Sequence, residues 1–476
     1  MITQPQEAAF VPEQQRFPRL AWIPLVAGTL WLFQGAQSGW LAFMLLLPVA
    51  GTLFATGWAQ LLWAGDRRIT QTMALAGALG LLAVLPLVFW LGLFPALWLA
   101  TWAAASAVAA GAMATLQEPV PAGVPRPAVT PRLAALVAVD EAVLGLEQFS
   151  VGLPTGDAAE ELVGEILDGL DLFAERGWLA DPAAYHAVPP ALPSPQIATR
   201  MSAGMRYEHL CFESLYAPHE GEPGRDRWLG FNANRTAHAF VLQHTEERRP
   251  WLVCCNGYRS GSPGLDLRLF RRYHRELGLN VLIPVLPLHG ARKRGRISGE
   301  GFLSGWVMDS LHAEAQAIWD IRRMIDWIQT RDAPAVGALG LSLGGYTTAL
   351  LASLQPGLAC AVAGIPVADF ARLFWRHGPP AGLAQLAQME IDPALVARLL
   401  LPISPLALEP LVPHAQRMIF GGTADRLVPP EHVRDLAEHW DHPRTVWYAG
   451  GHLTFGLDDR VRSGIDATLR DAKLAV

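Results

Sequence analysis

The chain has 476 residues, with 37 Lys and Arg against 43 Asp and Glu, a formal net charge of −6, and 51% hydrophobic residues. That balance gives no reason to propose a nucleic-acid partner. Four cysteines in so long a chain make no disulfide framework, and no C-x-x-C or H-E-x-x-H spacing is present, so motifs indicate no metal.

In chain order, the first feature is the absence of charge. No Asp, Glu, Lys or Arg occurs in residues 20–65 or 69–117. As helix, each run would be roughly 70 Å long, about twice the ~30 Å hydrocarbon core of a bilayer. Each run therefore reads as a helical hairpin. The bends fall at the Gly- and Pro-bearing stretches 34–39 and 92–95, which predicts four spans near 20–36, 40–63, 72–91 and 95–115. Trp22, Trp40, Trp63, Trp90 and Trp98 lie near their ends, where amphipathic rings favour the membrane interface. Arg16 and Arg19, Arg67 and Arg68, and Arg126 and Arg132 flank the spans on one side, while the hairpin tips carry no basic residue. The positive-inside rule puts that side in the cytoplasm of an inner membrane, and with it everything that follows.

Residues 118–131 carry five prolines and read as a stiff linker. Two helices are expected near 133–150 and 157–176. The second places Leu162, Ile166, Leu170 and Phe173 on one face. The organisation expected is thus a transmembrane region over 1–117, a linker and helical connector over 118–234, and a catalytic domain over 235–476. Its strands should begin near Ala237, Pro250, Leu279, Ala335, Leu358, Arg417 and Arg444.

The chemistry lies in that last part. Ala335–Leu339 reads as a buried strand and Tyr346–Ala352 as a helix, with Gly340-Leu341-Ser342-Leu343-Gly344 between them. A serine on so tight a strand-to-helix turn has its hydroxyl pushed clear of the backbone, and small neighbours let the chain pass close to itself. A serine needs a base, and the base an orienting acid. Asp425 follows the strand 417–420 and a Gly-Gly turn, and His452 follows the strand 444–449 and Gly450-Gly451. Asp425 has a plainer reading as the cap of the helix after Pro429, and His452 as a loop histidine. The order Ser342, Asp425, His452 favours catalysis; Asp458 and Asp459 follow the histidine and break that order. The oxyanion would be held by the amide of Leu343 and by that of Tyr258, in the loop after the strand 251–255.

With its Asn-Gly-Tyr loop, G-x-S-x-G turn, G-G-x-x-D turn and G-G-H segment, the chain resembles the α/β-hydrolase family over about residues 235–475. The resemblance implies a mostly parallel sheet flanked by helices, and ester, thioester or amide hydrolysis through an acyl-serine, with no cofactor. Many members have His-Gly in the first loop, where this chain has Asn256-Gly257; the backbone role survives that change.

Residues 367–412 exceed an ordinary connection of about 2–6 residues. The insertion reads as a lid, with Phe374 and Trp375 among the residues meeting an apolar substrate. Arg292, Lys293, Arg294 and Arg296 form a basic loop that could meet anionic headgroups. The expectation is a membrane-anchored serine hydrolase for an apolar or lipid-like ester. Peptidase, thioesterase and acyltransferase activity use the same residues, and a silent membrane scaffold is the reading from another class. Every candidate catalytic residue lies after Asn234, so the helices are given no part in the chemistry.

Overall fold

The computed structural model of the chain describes residues 18–148, 152–244, 248–303 and 305–475; Arg16 lies outside them. The chain divides into two compact units, and the division is not linear in sequence. Met1–Ser150 groups with two short later segments, Gly422–Pro430 and Ala449–Leu457, and the rest forms the second unit.

The first unit is built on α1 (Pro18–Gln37), α2 (Trp40–Leu62), α3 (Arg67–Leu91), α4 (Leu93–Gln117) and α5 (Pro131–Glu147). The bends fall where the charge-free runs require them. Gly39 and Gly92 take φ of 95° and 84°, a left-handed conformation that a side chain would strain. Small residues let the helices of each hairpin approach closely. A Cβ on Gly28 would lie 2.6 Å from the Phe54 nitrogen, and one on Gly77 2.8 Å from the Ala103 carbonyl oxygen. The fully buried Trp31 ties the hairpins together by donating its ring N–H to the Leu99 carbonyl at 3.1 Å.

Four helices were expected to span. Three of them, α2, α3 and α4, are long and apolar enough to cross a membrane. The shorter α1 carries Arg19 and Pro24 and does not join that set among the described residues. Large apolar side chains point outward from the helices, including Phe89 at 93% exposed and Phe94 at 83%.

After the proline-rich stretch, Thr130 caps α5 by accepting from the Leu133 amide, with Pro131 in the first turn. α5 lies so close to α4 that a Cβ on Gly111 would come within 2.0 Å of the Ala134 carbonyl oxygen. Leu133 and Val137 pack there with Ala114 and with Ala424 from a later segment.

The second unit holds a nine-stranded sheet. Its strands are β1 (Gln196–Ser202), β2 (Met205–Glu213), β3 (Thr236–Leu242), β4 (Trp251–Cys255), β5 (Asn280–Val285), β6 (Val336–Leu341), β7 (Ala361–Gly364), β8 (Arg417–Gly422) and β9 (Arg444–Tyr448). They lie in the order β1-β2-β3-β5-β4-β6-β7-β8-β9. β1, β2, β3 and β5 pair antiparallel, and β5, β4, β6, β7 and β8 run parallel. The helices before, between and after them are α6 (Asp157–Glu175), α7 (Arg225–Leu229), α8 (Pro263–Arg275), α9 (Val307–Gln329), α10 (Leu343–Leu354), α11 (Phe370–His377), α12 (Pro380–Gln388), α13 (Pro393–Leu399), α14 (Pro430–His439) and α15 (Asp459–Asp471).

Every residue of β4, β5, β6 and β7 is buried, so these strands are covered on both faces. From β4 the chain crosses to β5 on one side and later to β6 on the other. In open parallel sheets a reversal of this kind is where ligands bind, outside the carboxyl ends of the two strands, here β4 and β6.

α6 buries Leu162, Ile166, Leu170 and Phe173 as its periodicity predicts, with Gly169 against Leu399 and Met308. Two readings are corrected. Residues 196–213, read as connector, form β1 and β2. In β2 the buried positions shift from Met205 and Tyr207 to Leu210 and Phe212, which breaks the alternation a strand should show. Arg292, read as a headgroup ligand, is fully buried and pairs with Asp320 of α9 at 2.9 Å.

Gly111→Ala should destabilise the helical unit by about 1–3 kcal/mol, because its methyl meets backbone that cannot yield cheaply. Gly164→Ala, mid-helix in α6 with open space around it, should be neutral or stabilising. Thermal unfolding of the detergent-solubilised protein compares the two; equal midpoints would contradict the close α4–α5 packing.

Candidate active site

Ser342 sits between β6 and α10 with φ 59° and ψ −116°. A non-glycine residue there is strained, and the surrounding backbone holds it in place. Its N–H donates to the Gly364 carbonyl at 2.9 Å, and its own carbonyl accepts from Tyr346 at 3.1 Å. The flanking glycines are steric necessities. A Cβ on Gly340 would lie 1.8 Å from the Gly344 carbonyl oxygen, and one on Gly344 would lie 2.1 Å from that of Cys255. The strand-turn-helix reading of this segment is therefore realised residue by residue.

The loop after β4 lies against the same turn. A Cβ on Gly257 would come within 3.2 Å of Ser342 Cβ and 3.8 Å of its Oγ. Asn256 accepts from the Gly257 amide and donates to Asp266 of α8, which also accepts from the Gly261 amide. Burial pushes the Asp266 carboxyl up to about 6. Tyr258 follows in this loop, its ring edge-on to His289 at 5.9 Å. His289 is buried among Tyr258 and Phe302, and burial holds it down at about 4; it is a packing histidine. Leu343 opens α10, where a first-turn amide has no partner within the helix.

Asp425 and His452 come together in the first unit. His452 Nδ1 lies 2.6 Å from Asp425 Oδ2, and both are buried. Asp425 Oδ1 accepts from the Val428 amide at 2.8 Å, so its carboxylate is fixed at both oxygens. Burial alone would lower the His452 pKa. The charge and hydrogen bond of Asp425, with the charge of Asp140, more than offset that and leave it raised. With Nδ1 turned to the acid, Nε2 remains to take a proton.

Asp140 of α5 was not foreseen. It is fully buried and accepts three backbone N–H bonds from the loops bearing the acid and the histidine. His452 and Arg426 donate to Oδ2 at 2.6 and 3.1 Å, and Leu453 donates to Oδ1 at 3.3 Å. Gly451 is small because a Cβ there would lie 2.5 Å from Asp140 Oδ2. Burial and the Asp425 charge push the Asp140 carboxyl up to about 7.

Its neighbour Glu141 accepts from Thr70 of α3 at 2.6 Å and from Arg426 at 2.8 Å. Arg426 also reaches Glu118 at 2.6 Å. The residue beside the candidate acid is thereby bound to α5 and to the end of α4. The available signal was an Asp-Glu pair inside an otherwise apolar helical run. It corrects the reading in which everything before Asn234 stands apart from the site.

The insertion 367–412 forms α11, α12 and α13. Its base is pinned by His432, which accepts from the amides of Ala368 and Asp369 at 3.2 and 3.3 Å. Phe370 stacks on Tyr346 of α10 at 3.9 Å. Phe374 and Trp375 are half-buried on α11, edge-on to each other at 5.4 Å.

An uncharacterized protein, MT2702, of Mycobacterium tuberculosis strain CDC 1551 is 41% identical over 364 residues, which are 75% of this chain and 86% of that protein. Rv2627c, an uncharacterized protein of strain H37Rv, matches to the same extent. The chain belongs to their family. No family model matches it. Among solved structures, an acetyl xylan esterase from Paenibacillus sp. R4 is 15% identical, covering 69% of this chain and 98% of its own, at a TM-score of 0.43. Acetyl xylan esterase 1 from Thermoanaerobacterium sp. JW/SL YS485 is 15% identical, with coverages of 61% and 98% and a TM-score of 0.40. Scores this low decide neither fold nor activity.

Asp140→Ala leaves two buried amides and one part-buried amide without an acceptor, each of the buried ones costing about 1–3 kcal/mol. Hydrogen exchange at Arg426, His452 and Leu453 should quicken at least tenfold, the factor that ~1.4 kcal/mol corresponds to. Unchanged protection would show that α5 does not hold these loops.

Proposed function

We propose that the protein is a membrane-anchored serine hydrolase of α/β-hydrolase type that cleaves carboxylic esters, with apolar or lipid-like esters as substrate. The observation that carries this reading is the strained Ser342 turn, together with a buried histidine already paired to a carboxylate. Ser342 Oγ attacks the carbonyl carbon while His452 Nε2 takes its proton. Asp425 holds His452 in the tautomer that presents Nε2 and stabilises the imidazolium that forms. The amides of Tyr258 and Leu343 receive the oxyanion. Collapse expels the alcohol, which takes the proton from His452, and water then repeats the sequence to free the acid and Ser342. Phe374 and Trp375, on the insertion that begins beside Tyr346, line the acyl side of this site.

The outward-facing apolar side chains of α2, α3 and α4 support anchoring in a bilayer, since exposed apolar surface on this scale is rare in soluble monomers. The basic residues flanking the helices support a cytoplasmic catalytic domain in an inner membrane. A reporter fused at the carboxyl terminus tests this orientation: a cytoplasm-dependent fluorophore should light up and a periplasm-dependent phosphatase stay silent, and the reverse would overturn it.

Ser342→Ala and His452→Ala should each lower kcat by orders of magnitude, with the double variant little worse, because the groups act as one unit. Ser342→Ala should also abolish labelling by a fluorophosphonate. Retained hydrolysis or labelling would remove Ser342 as nucleophile. The base works only when neutral and its pKa is raised, so kcat/KM should fall on acidification with a limb above the ordinary histidine value of about 6.5. Asp140→Asn removes a charge that favours the imidazolium, so that limb should move to lower pH. A limb that stays in place would remove Asp140 from the electrostatics of His452.

A further inference from the structure

A second cluster lies on β2 and β3 of the sheet, and the proposed mechanism uses none of its residues. His209 and Cys211 stand two apart on β2 and so share one face. The antiparallel register sets His238 of β3 directly across from Cys211, with Phe240 across from His209. On the other side Ala198 of β1 faces His209 and leaves its ring room.

The donor atoms converge. His209 Nε2 is 3.1 Å from His238 Nδ1, and Cys211 Sγ is 3.1 Å from that Nδ1 and 3.5 Å from His209 Nε2. In a tetrahedral zinc site, bonds of about 2.0–2.1 Å to nitrogen and 2.3 Å to sulfur put donor atoms roughly 3.3–3.6 Å apart. The triangle needs only a few tenths of an ångström of widening. The three residues are half-buried, which leaves a fourth position toward solvent.

The two imidazoles are ready for a metal, and the thiol must give up its proton to one. Burial lowers the His209 pKa, and the charge of Arg200 adds to it. Burial holds His238 down at about 4, with His209 and Arg292 adding to it. Both rings are therefore neutral at pH 7, with a lone pair to give. Burial raises the Cys211 thiol, and Arg200 pulls the other way by favouring the thiolate. The charged groups acting on the cluster, Arg200 and Arg292, are cationic. They oppose a bare dication, but two neutral imidazoles and one thiolate bring the bound ion down to a single positive charge.

We propose that His209, Cys211 and His238 bind one Zn²⁺ ion through Nε2, Sγ and Nδ1, with water at the fourth position. Binding displaces the thiol proton to solvent and clamps β2 to β3. Motif spacing does not reveal the site because its third ligand comes from a neighbouring strand.

The test uses full-length, untagged protein in detergent, stripped with a chelator and titrated with Co²⁺. One equivalent should give visible ligand-field bands and a thiolate-to-cobalt charge-transfer band, both lost when Zn²⁺ is added. The thiolate band reports Cys211 alone, because Cys254, Cys255 and Cys360 are buried. Cys211→Ser should abolish the charge-transfer band, and His238→Ala should weaken Zn²⁺ binding at least tenfold, each with an unchanged circular dichroism spectrum. Zinc should also raise the unfolding temperature of the wild type but not of Cys211→Ser. A charge-transfer band that persists in Cys211→Ser, or wild-type Zn²⁺ binding weaker than roughly 10 μM, which is about −7 kcal/mol, would overturn the site. Hydrolysis by Ser342 is independent of either outcome.

Discussion

A single buried carboxylate organises the loops that carry the candidate acid and base. Asp140 takes hydrogen bonds from three amides, one beside Asp425 and two at and after His452. A charged carboxylate is costly to bury unless its lone pairs are met, and here backbone N–H groups meet them. The arrangement satisfies both sides, because those amides are themselves buried or half-buried. Asp425 and His452 then need only a short reach to join at 2.6 Å. Glu141, one residue on, fixes Arg426 to the same helix, so neither the loop nor the helix can shift alone.

The serine turn is held by other means. Its constraint is steric: Gly340, Gly344 and Gly257 each stand where a Cβ would strike backbone or Ser342 itself. Close packing of this kind resists deformation and keeps the serine in a conformation it would not choose alone. One half of the proposed machinery is thus positioned by shape and the other by hydrogen bonding to a buried charge.

What could be read from the sequence was whatever is written in contiguous residues. The charge-free runs gave the hairpins and their bends within a few residues, because a bilayer-length apolar helix leaves no ambiguity of period. The turn at Ser342 and the segments before Asp425 and His452 were legible for the same local reason. Asp140 was not, since its partners lie 286 to 313 residues away and a carboxylate in a helix usually means only a solvated face. Arg292 misled in the opposite sense. Its basic neighbours made it look like surface, whereas Asp320 and two backbone carbonyls hold it inside. β1 escaped because none of its residues is buried, and β2 because its buried positions keep no single parity.

The long separation between Asp140 and its partners has a consequence for synthesis. About 285 residues separate Asp140 from Asp425, and at roughly 5–20 residues per second the ribosome needs some tens of seconds to supply them. During that interval α5 can already dock on α3 and α4, yet its carboxylates have no amides to meet. An acid group in that position keeps its proton. The last loops to emerge bring both the amides that favour its ionisation and the Asp425 charge that opposes it, so the charge of Asp140 is set only as the chain closes.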